Sequence, residues 1–167
     1  MRRVVVTGIG TINSTGHNVK DSFKAVVDGV CGIDTITLFD ASEFSVKIAG
    51  EVKDFDPTTV MDKKEVKKAE RFIQVGIKAA LEAMIDSGYV TQEDKKVDAS
   101  IADRFGMISG SGIGGLSTIE RNSIVCETKG SRKVSPFFIP SSLANMLSGF
   151  ISIEHNLRGP SLSHVTA

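Results

Sequence analysis

Four glycines fall within six residues at Gly110-Ser111-Gly112-Ile113-Gly114-Gly115, directly after the strand-like stretch 105–109 and before a helix-forming stretch from about 116 to 128. A strand that enters such a turn and leaves it as a helix is a building unit of α/β folds. Glycine there lets the backbone approach another group closely. The run also satisfies G-x-G-x-x-G in the strand–turn–helix context that a dinucleotide site requires. That fingerprint needs an acid about 20 residues further on to hold the ribose. Val134, Ser135 and Pro136 stand there instead. The run is therefore read as a close-approach turn, and a nicotinamide-binding module is the weaker alternative.

The remaining pattern agrees with an α/β chain. Residues 3–7, rich in valine and followed by Gly8 and Gly10, read as a short, fully buried strand. Asn18 is a good helix N-cap for Val19, Phe23, Val26 and Val27, and Gly29 and Gly32 end that helix. Residues 33–57 are irregular, with a short strand predicted at 46–52. Asp62 is placed to cap a long helix reaching about Asp86, with Phe72, Ile73, Ile77, Ala80, Leu81, Met84 and Ile85 as its apolar stripe and Ser87-Gly88 as its stop. Residues 91–103 are polar and read as a surface excursion. Residues 105–109 form a second buried-strand candidate. Ser135-Pro136-Phe137-Phe138-Ile139-Pro140 has prolines bracketing two phenylalanines, which predicts a rigid extended segment. Ser141 or Ser142 can cap a helix through Leu143, Leu147, Phe150 and Ile151, and residues 161–167 read as a strand that stops in mid-element.

Charge and composition narrow the function classes. Lysine plus arginine equals aspartate plus glutamate, 20 against 20, so there is no global electrostatic case for nucleic acid or membrane. No apolar run approaches the ~18 residues of a membrane span. The apolar start is cut by Thr7, Gly8 and Gly10, too short for the ~7–15-residue core of a secretory signal, and the protein is expected in the cytoplasm. Cys31 and Cys126 form no C-x-x-C and no Cys/His cluster, so they are read as reduced thiols and no metal site is expected. His17, His155 and His164 are scattered, each read as structural, and no complete catalytic constellation is present. Lys63, Lys64, Lys67, Lys68 and Arg71 crowd the start of the long helix, with positions 64, 67, 68 and 71 predicted on one face. Cations are disfavoured at a helix N-terminus. A solvated face and a docking patch for an acidic partner are both open on these residues alone.

Taken in order, Arg2-Arg3-Val4-Val5-Val6-Thr7-Gly8-Ile9-Gly10, the 110–115 run, Ser135 to Pro140, Asn145-Met146, Arg158-Gly159-Pro160-Ser161 and the final Val165-Thr166-Ala167 resemble the β-ketoacyl-acyl-carrier-protein synthases. The likeness spans the whole chain, and it looks closest to the synthase II form, with synthase I as runner-up. The resemblance implies a thiolase-like five-layered α-β-α-β-α fold, with residues 1–167 as most of its first half and the domain incomplete at its C-terminal side. It implies a condensing enzyme of fatty-acid synthesis with no cofactor, whose nucleophilic cysteine follows Ala167 directly, so that no catalytic group lies within the chain. It further implies that Ile113 gates the acyl tunnel, that Gly112 lines the pocket, that Phe138 and Ile139 wall the tunnel, and that Ala167 adjoins the nucleophile. Lys64, Lys67 and Lys68 resemble the basic contacts for the acyl- or malonyl-loaded acyl-carrier protein, and the assembly implied is a homodimer. The alternative within the fold is a non-catalytic, chain-length-factor-like subunit. His164 departs from the small or apolar residue usual in the terminal strand.

Overall fold

The computed structural model describes residues 2–166. In chain order the elements are α1 (Val19–Val27), β1 (Asp34–Thr35), β2 (Ile48–Ala49), α2 (Lys63–Val66), α3 (Arg71–Asp86), β3 (Met107–Gly110), α4 (Leu116–Lys129), α5 (Phe138–Ser142), α6 (Met146–His155) and β4 (Ser161–His164). The residues form two compact units. One comprises residues up to Asp56 with Lys78–Gly88, and the other comprises Pro57–Ile77 with residues from Tyr89 onward.

In the first unit α1 starts as its sequence predicts. The Asn18 side chain accepts a hydrogen bond from the Asp21 amide at 2.8 Å, and Gly29 leaves the helix at φ +70, open to glycine at no cost. Residues 3–7 do not form the buried strand expected of them. Val4 is 97% exposed and Val6 82%. A strand must give its backbone groups to a neighbour, and none of the described residues supplies one. The chain beyond is instead bound to the second half of α3. A Cβ on Gly8 would lie 2.6 Å from the Ser87 nitrogen, and one on Gly10 2.7 Å from the Ala83 nitrogen, so only glycine permits this approach. Glu82 then accepts from the Thr11 amide at 3.1 Å and the Val19 amide at 2.8 Å, and Asp86 accepts from the Ile9 amide at 3.0 Å. Carboxylates four residues apart on α3 thus take up the amides of Ile9 and Thr11 and the first amide of α1. β1 and β2 pair antiparallel, which confirms the short strand expected near 46–52. Buried Glu51 accepts from the Thr37 hydroxyl at 2.7 Å and from the Thr37 and Leu38 amides.

In the second unit the long helix expected from Asp62 is broken. α2 ends at Val66, and α3 begins at Arg71. Glu70 causes the restart: its carboxylate accepts from the Phe72 amide at 3.1 Å, and its carbonyl from Ile73 and Gln74. Gln74 donates back to the carbonyls of Val66 and Ala69, satisfying acceptors that the break exposes. The expected apolar stripe is buried at Ile73 and Ile77 here and at Leu81 in the first unit, whereas Phe72, Ala80 and Met84 are half-buried and Ile85 is exposed. The polar stretch 91–103 is mostly exposed but anchored by buried Val97 and Ala102. Fully buried His155 ties this stretch down: its Nδ1–H donates to the Lys95 carbonyl at 2.7 Å, and its own carbonyl accepts from Val97. This confirms a structural role for that histidine.

β3 and β4 are parallel, with Met107, Ile108, Ser109 and Gly110 opposite Ser161, Leu162, Ser163 and His164. The strand expected at 105–109 is thus shifted to Met107–Gly110, and only Ser109 in it is buried. The segment 135–140 is not extended as predicted. Residues from Phe138 enter α5, with Pro140 in its first turn, where proline's missing N–H costs nothing. Ser141 and Ser142 do not cap the next helix. They are buried in α5, Ser141 donating to the Lys68 carbonyl at 2.6 Å, and Asn145 precedes α6.

Candidate functional site

Parallel strands present their carboxyl ends on one edge, the edge at which α/β folds place ligands. Here β3 runs into the glycine turn, and β4 runs towards the end of the chain. The Ser111 amide donates to the His164 carbonyl at 3.1 Å, so the turn lies directly beside residues 164–166. Ala167, expected next to a nucleophile, lies outside the described residues.

Two halves of the turn behave differently. Gly114 adopts φ +87, and its amide donates to the Ser111 hydroxyl at 3.0 Å. The Gly115 amide donates to the Ser142 carbonyl at 3.0 Å. A Cβ on Gly114 would lie 2.6 Å from the Ser142 oxygen. This half is therefore pressed onto the end of α5, the helix that carries Phe138 and Ile139. Gly110 and Gly112, by contrast, have nothing within 4 Å of a notional Cβ, and Ile113 is 61% exposed. Ile139 is 56% exposed, and Phe138 is half-buried. The sequence-predicted residues Gly112, Ile113, Phe138 and Ile139 therefore sit on two backbone segments that are hydrogen-bonded together.

The basic residues form a second feature. Because of the helix break, positions 64, 67, 68 and 71 do not share one helical face, contrary to the sequence expectation. Lys64 and Lys67 are exposed. Lys68 is half-buried, paired with Glu65 at 2.6 Å and standing 5.9 Å above the Phe137 ring. Lys67 and Arg71 instead line a pocket of about 490 Å³ together with Arg121 of α4 and Lys133, with Glu70 as the acid among them. Buried Asn122 builds its floor, donating to the Thr118 carbonyl at 2.8 Å and accepting from the Ser135 amide at 2.9 Å. Sequence reasoning missed Arg121 and Lys133. Arg121 carries no local signal, since its position depends on how α4 packs, whereas the Arg132-Lys133 pair after Gly130 was legible as a second basic site.

Other chemistry is sparse. Cys31 and Cys126 are free and exposed. Among the described residues no group of three His, Cys, Asp or Glu side chains is placed to hold a metal ion, and no helix is long and apolar enough to cross a membrane. His17 bonds the Lys53 carbonyl at 2.8 Å, and His164 lies exposed on β4.

The fold is that of the thiolase-like ketosynthases, and the chain belongs to the beta-ketoacyl synthase family, whose model "Beta-ketoacyl synthase, N-terminal domain" matches residues 1–167. Among curated relatives, the 3-oxoacyl-[acyl-carrier-protein] synthase 2 of Coxiella burnetii is 45% identical over 99% of this chain and 39% of its own length. The ishigamide ketosynthase/chain length factor superposes with a TM-score of 0.78 at 29% identity, over 99% of this chain and 40% of that one. A type II polyketide ketosynthase, solved in complex with its acyl-carrier protein, shares the fold with a TM-score of 0.71 at 21% identity, over 96% of this chain and 41% of that one. The chain thus spans about two-fifths of the length of the proteins it matches.

Proposed function

We propose that the full-length protein is a β-ketoacyl-acyl-carrier-protein synthase of the synthase II kind, extending a fatty acyl chain by two carbons. The observation that carries this reading is the glycine turn hydrogen-bonded to the carboxyl end of β4, in a chain 45% identical to a synthase 2. In this reading a cysteine directly after Ala167 attacks the thioester of an acyl-carrier protein, releases the carrier's thiol, and holds the acyl group as an enzyme thioester. Malonyl-carrier protein then loses carbon dioxide, and the resulting carbanion attacks that thioester, returning the cysteine thiolate. Gly112 and Ile113 border the acyl channel, and Phe138 and Ile139 wall it. An apolar channel suits an alkyl chain because burial removes its surface from water.

The carrier protein docks on Lys64, Lys67 and Lys68, and the pocket cations Arg71, Arg121 and Lys133 extend that surface. Charge of one sign focused in a concave site steers an acidic partner. The ketosynthase solved with its acyl-carrier protein supports a partner of this kind. The protein acts in the cytoplasm as a homodimer, and residues 1–167 are an incomplete domain that supplies pocket wall and docking surface.

The test is direct. Full-length protein incubated with acyl- and malonyl-loaded carrier protein is expected to form an acyl-protein thioester and then release carbon dioxide with a 3-ketoacyl product. Absence of both the thioester and the carbon dioxide refutes the reading. Glutamine in place of cysteine after Ala167 would instead assign a chain-length-factor subunit, a class named in one structural relative.

A further inference from the structure

An interface between a helix and a strand pair is ordinarily apolar, because burying a hydroxyl costs free energy unless it is hydrogen-bonded. Beneath the glycine turn this chain places three serines there instead. Ser109 of β3 and Ser163 of β4 are register partners, so their side chains share one face of the pair. Ser148 of α6 meets them: its Oγ lies 2.6 Å from Ser109 Oγ, and Ser109 Oγ lies 3.2 Å from Ser163 Oγ. Ser148 Oγ also donates to the Leu162 carbonyl at 3.0 Å. Ser148 and Ser109 are buried and Ser163 partly so.

Proton supply orders the cluster. Each hydroxyl has one hydrogen to give. Ser109 donates to Ser163, and Ser148 donates to the Leu162 carbonyl, so hydroxyls of β3 and of α6 both bond to β4. The three hydroxyls are thus linked in a relay, Ser148 to Ser109 and Ser109 to Ser163, and both directed bonds end on β4. Apolar packing tolerates small sliding, whereas directional bonds onto the Ser163 hydroxyl and the Leu162 carbonyl fix how far β4 extends past β3. The next residues in both strands are Gly110 and His164, followed by the Ser111-to-His164 hydrogen bond.

We propose that Ser109, Ser148 and Ser163 are positioning residues: their hydroxyl relay sets the height of the β4 end against the glycine turn. Resting on the proposed function, this means that the relay sets the distance between the acyl channel mouth and the nucleophile that follows Ala167. The relay touches no substrate and acts only through the two strand ends.

The experiment uses the full-length protein and two variants. Ser109→Ala/Ser148→Ala/Ser163→Ala removes all three hydroxyls together and so leaves none of them buried without a partner, while the Leu162 carbonyl loses its Ser148 donor. Ser163→Ala is milder and leaves the two buried hydroxyls bonded to each other. Amide hydrogen exchange is read in peptides covering 107–116 and 161–166, alongside kcat and KM for condensation. The expected result is exchange faster by at least about tenfold in those two peptides, with α4 unchanged. With it, kcat is expected to fall by at least about tenfold and KM for the acyl carrier to stay constant. A merely structural role predicts a lowered thermal midpoint with exchange raised throughout the unit. Unchanged exchange in the two peptides, in either folded variant, overturns the proposal, as does a triple variant with native kcat. If the unsubstituted protein makes no 3-ketoacyl product, the proposed function fails, and the exchange comparison still decides whether the relay positions the strand ends.

Discussion

Substituting Gly115 by alanine isolates the contact that joins the glycine turn to α5. Gly115 has φ −86, a value any residue adopts, so alanine incurs no backbone penalty there. Its Cβ would lie 2.9 Å from the Ser142 Cα and closer still to the Ser141 carbonyl oxygen. Carbon atoms prefer separations of about 3.5–4.0 Å, so relieving the Ser142 contact alone moves α5 by roughly 0.6–1 Å, and the tighter Ser141 contact demands more. Overpacking of this kind costs about 1–3 kcal/mol. The displacement also stretches the 3.0 Å hydrogen bond from the Gly115 amide to buried Ser142, adding about 1 kcal/mol. The expected loss is therefore on the order of 2–4 kcal/mol. Gly112→Ala is the matched control, with nothing within 4 Å of its notional Cβ. Urea unfolding of the full-length protein, followed by far-UV circular dichroism, separates the two. With a denaturant slope of about 3 kcal/mol per molar, Gly115→Ala lowers the midpoint by roughly 1 M, and Gly112→Ala leaves it within about 0.2 M. Coincident midpoints for the two variants would show that the turn is not clamped to α5, and the reasoning would fail.

Ile113→Phe enlarges an exposed side chain in the open half of the turn, so it should leave stability unchanged and cut rates with long acyl donors several-fold more than with short ones. Equal rates for both donor classes count against a gating role. Reversing charge at Lys67 and Lys133 together should raise KM for acyl-carrier protein by about tenfold at low salt, and the difference should shrink as ionic strength rises and the Debye length falls to about 8 Å. A salt-independent effect speaks against electrostatic docking. Hydrogen bonds from the Thr37 hydroxyl and amide hold the Glu51 carboxyl below its ordinary value of 4.5. A depressed carboxyl contributes stability that is present above its unfolded value and lost as pH falls through the folded one. The unfolding midpoint should therefore drop below about pH 4.5, and Glu51→Gln should flatten that part of the profile. The Lys53 ammonium lowers Asp34 in the same sense, so a residual slope in Glu51→Gln is expected. An unchanged slope refutes the assignment.

Local rules decided what could be read from residue order. The Asn18 cap, the stops at Gly29 and Gly88, the buried stripe of α3 and the strand–glycine–helix unit each depend on neighbours within a few residues. The family was likewise legible, because an ordered set of short segments is specific even where each is weak. Errors arose where distant partners compete with local preference. Residues 3–7 have strand composition, but among the described residues they have no strand to pair with, and Glu82 and Asp86 hold the segment after them instead. Residues 62–86 have continuous helical periodicity, but Glu70 and Gln74 can cap a break, and the basic face predicted from one straight helix disappears with it.

From residue order alone came the α/β class, the glycine turn and the identity of the side chains around it, since these follow from backbone freedom and apolar spacing. Tertiary packing alone determined that the turn rests on α5 through Gly115 and Ser142, that Arg121 and Lys133 join Lys67 around one pocket, and that three serines meet beneath the strand ends. Those pairings bring together residues separated by tens of positions. Their energies depend on distances and directions in space that no local pattern encodes.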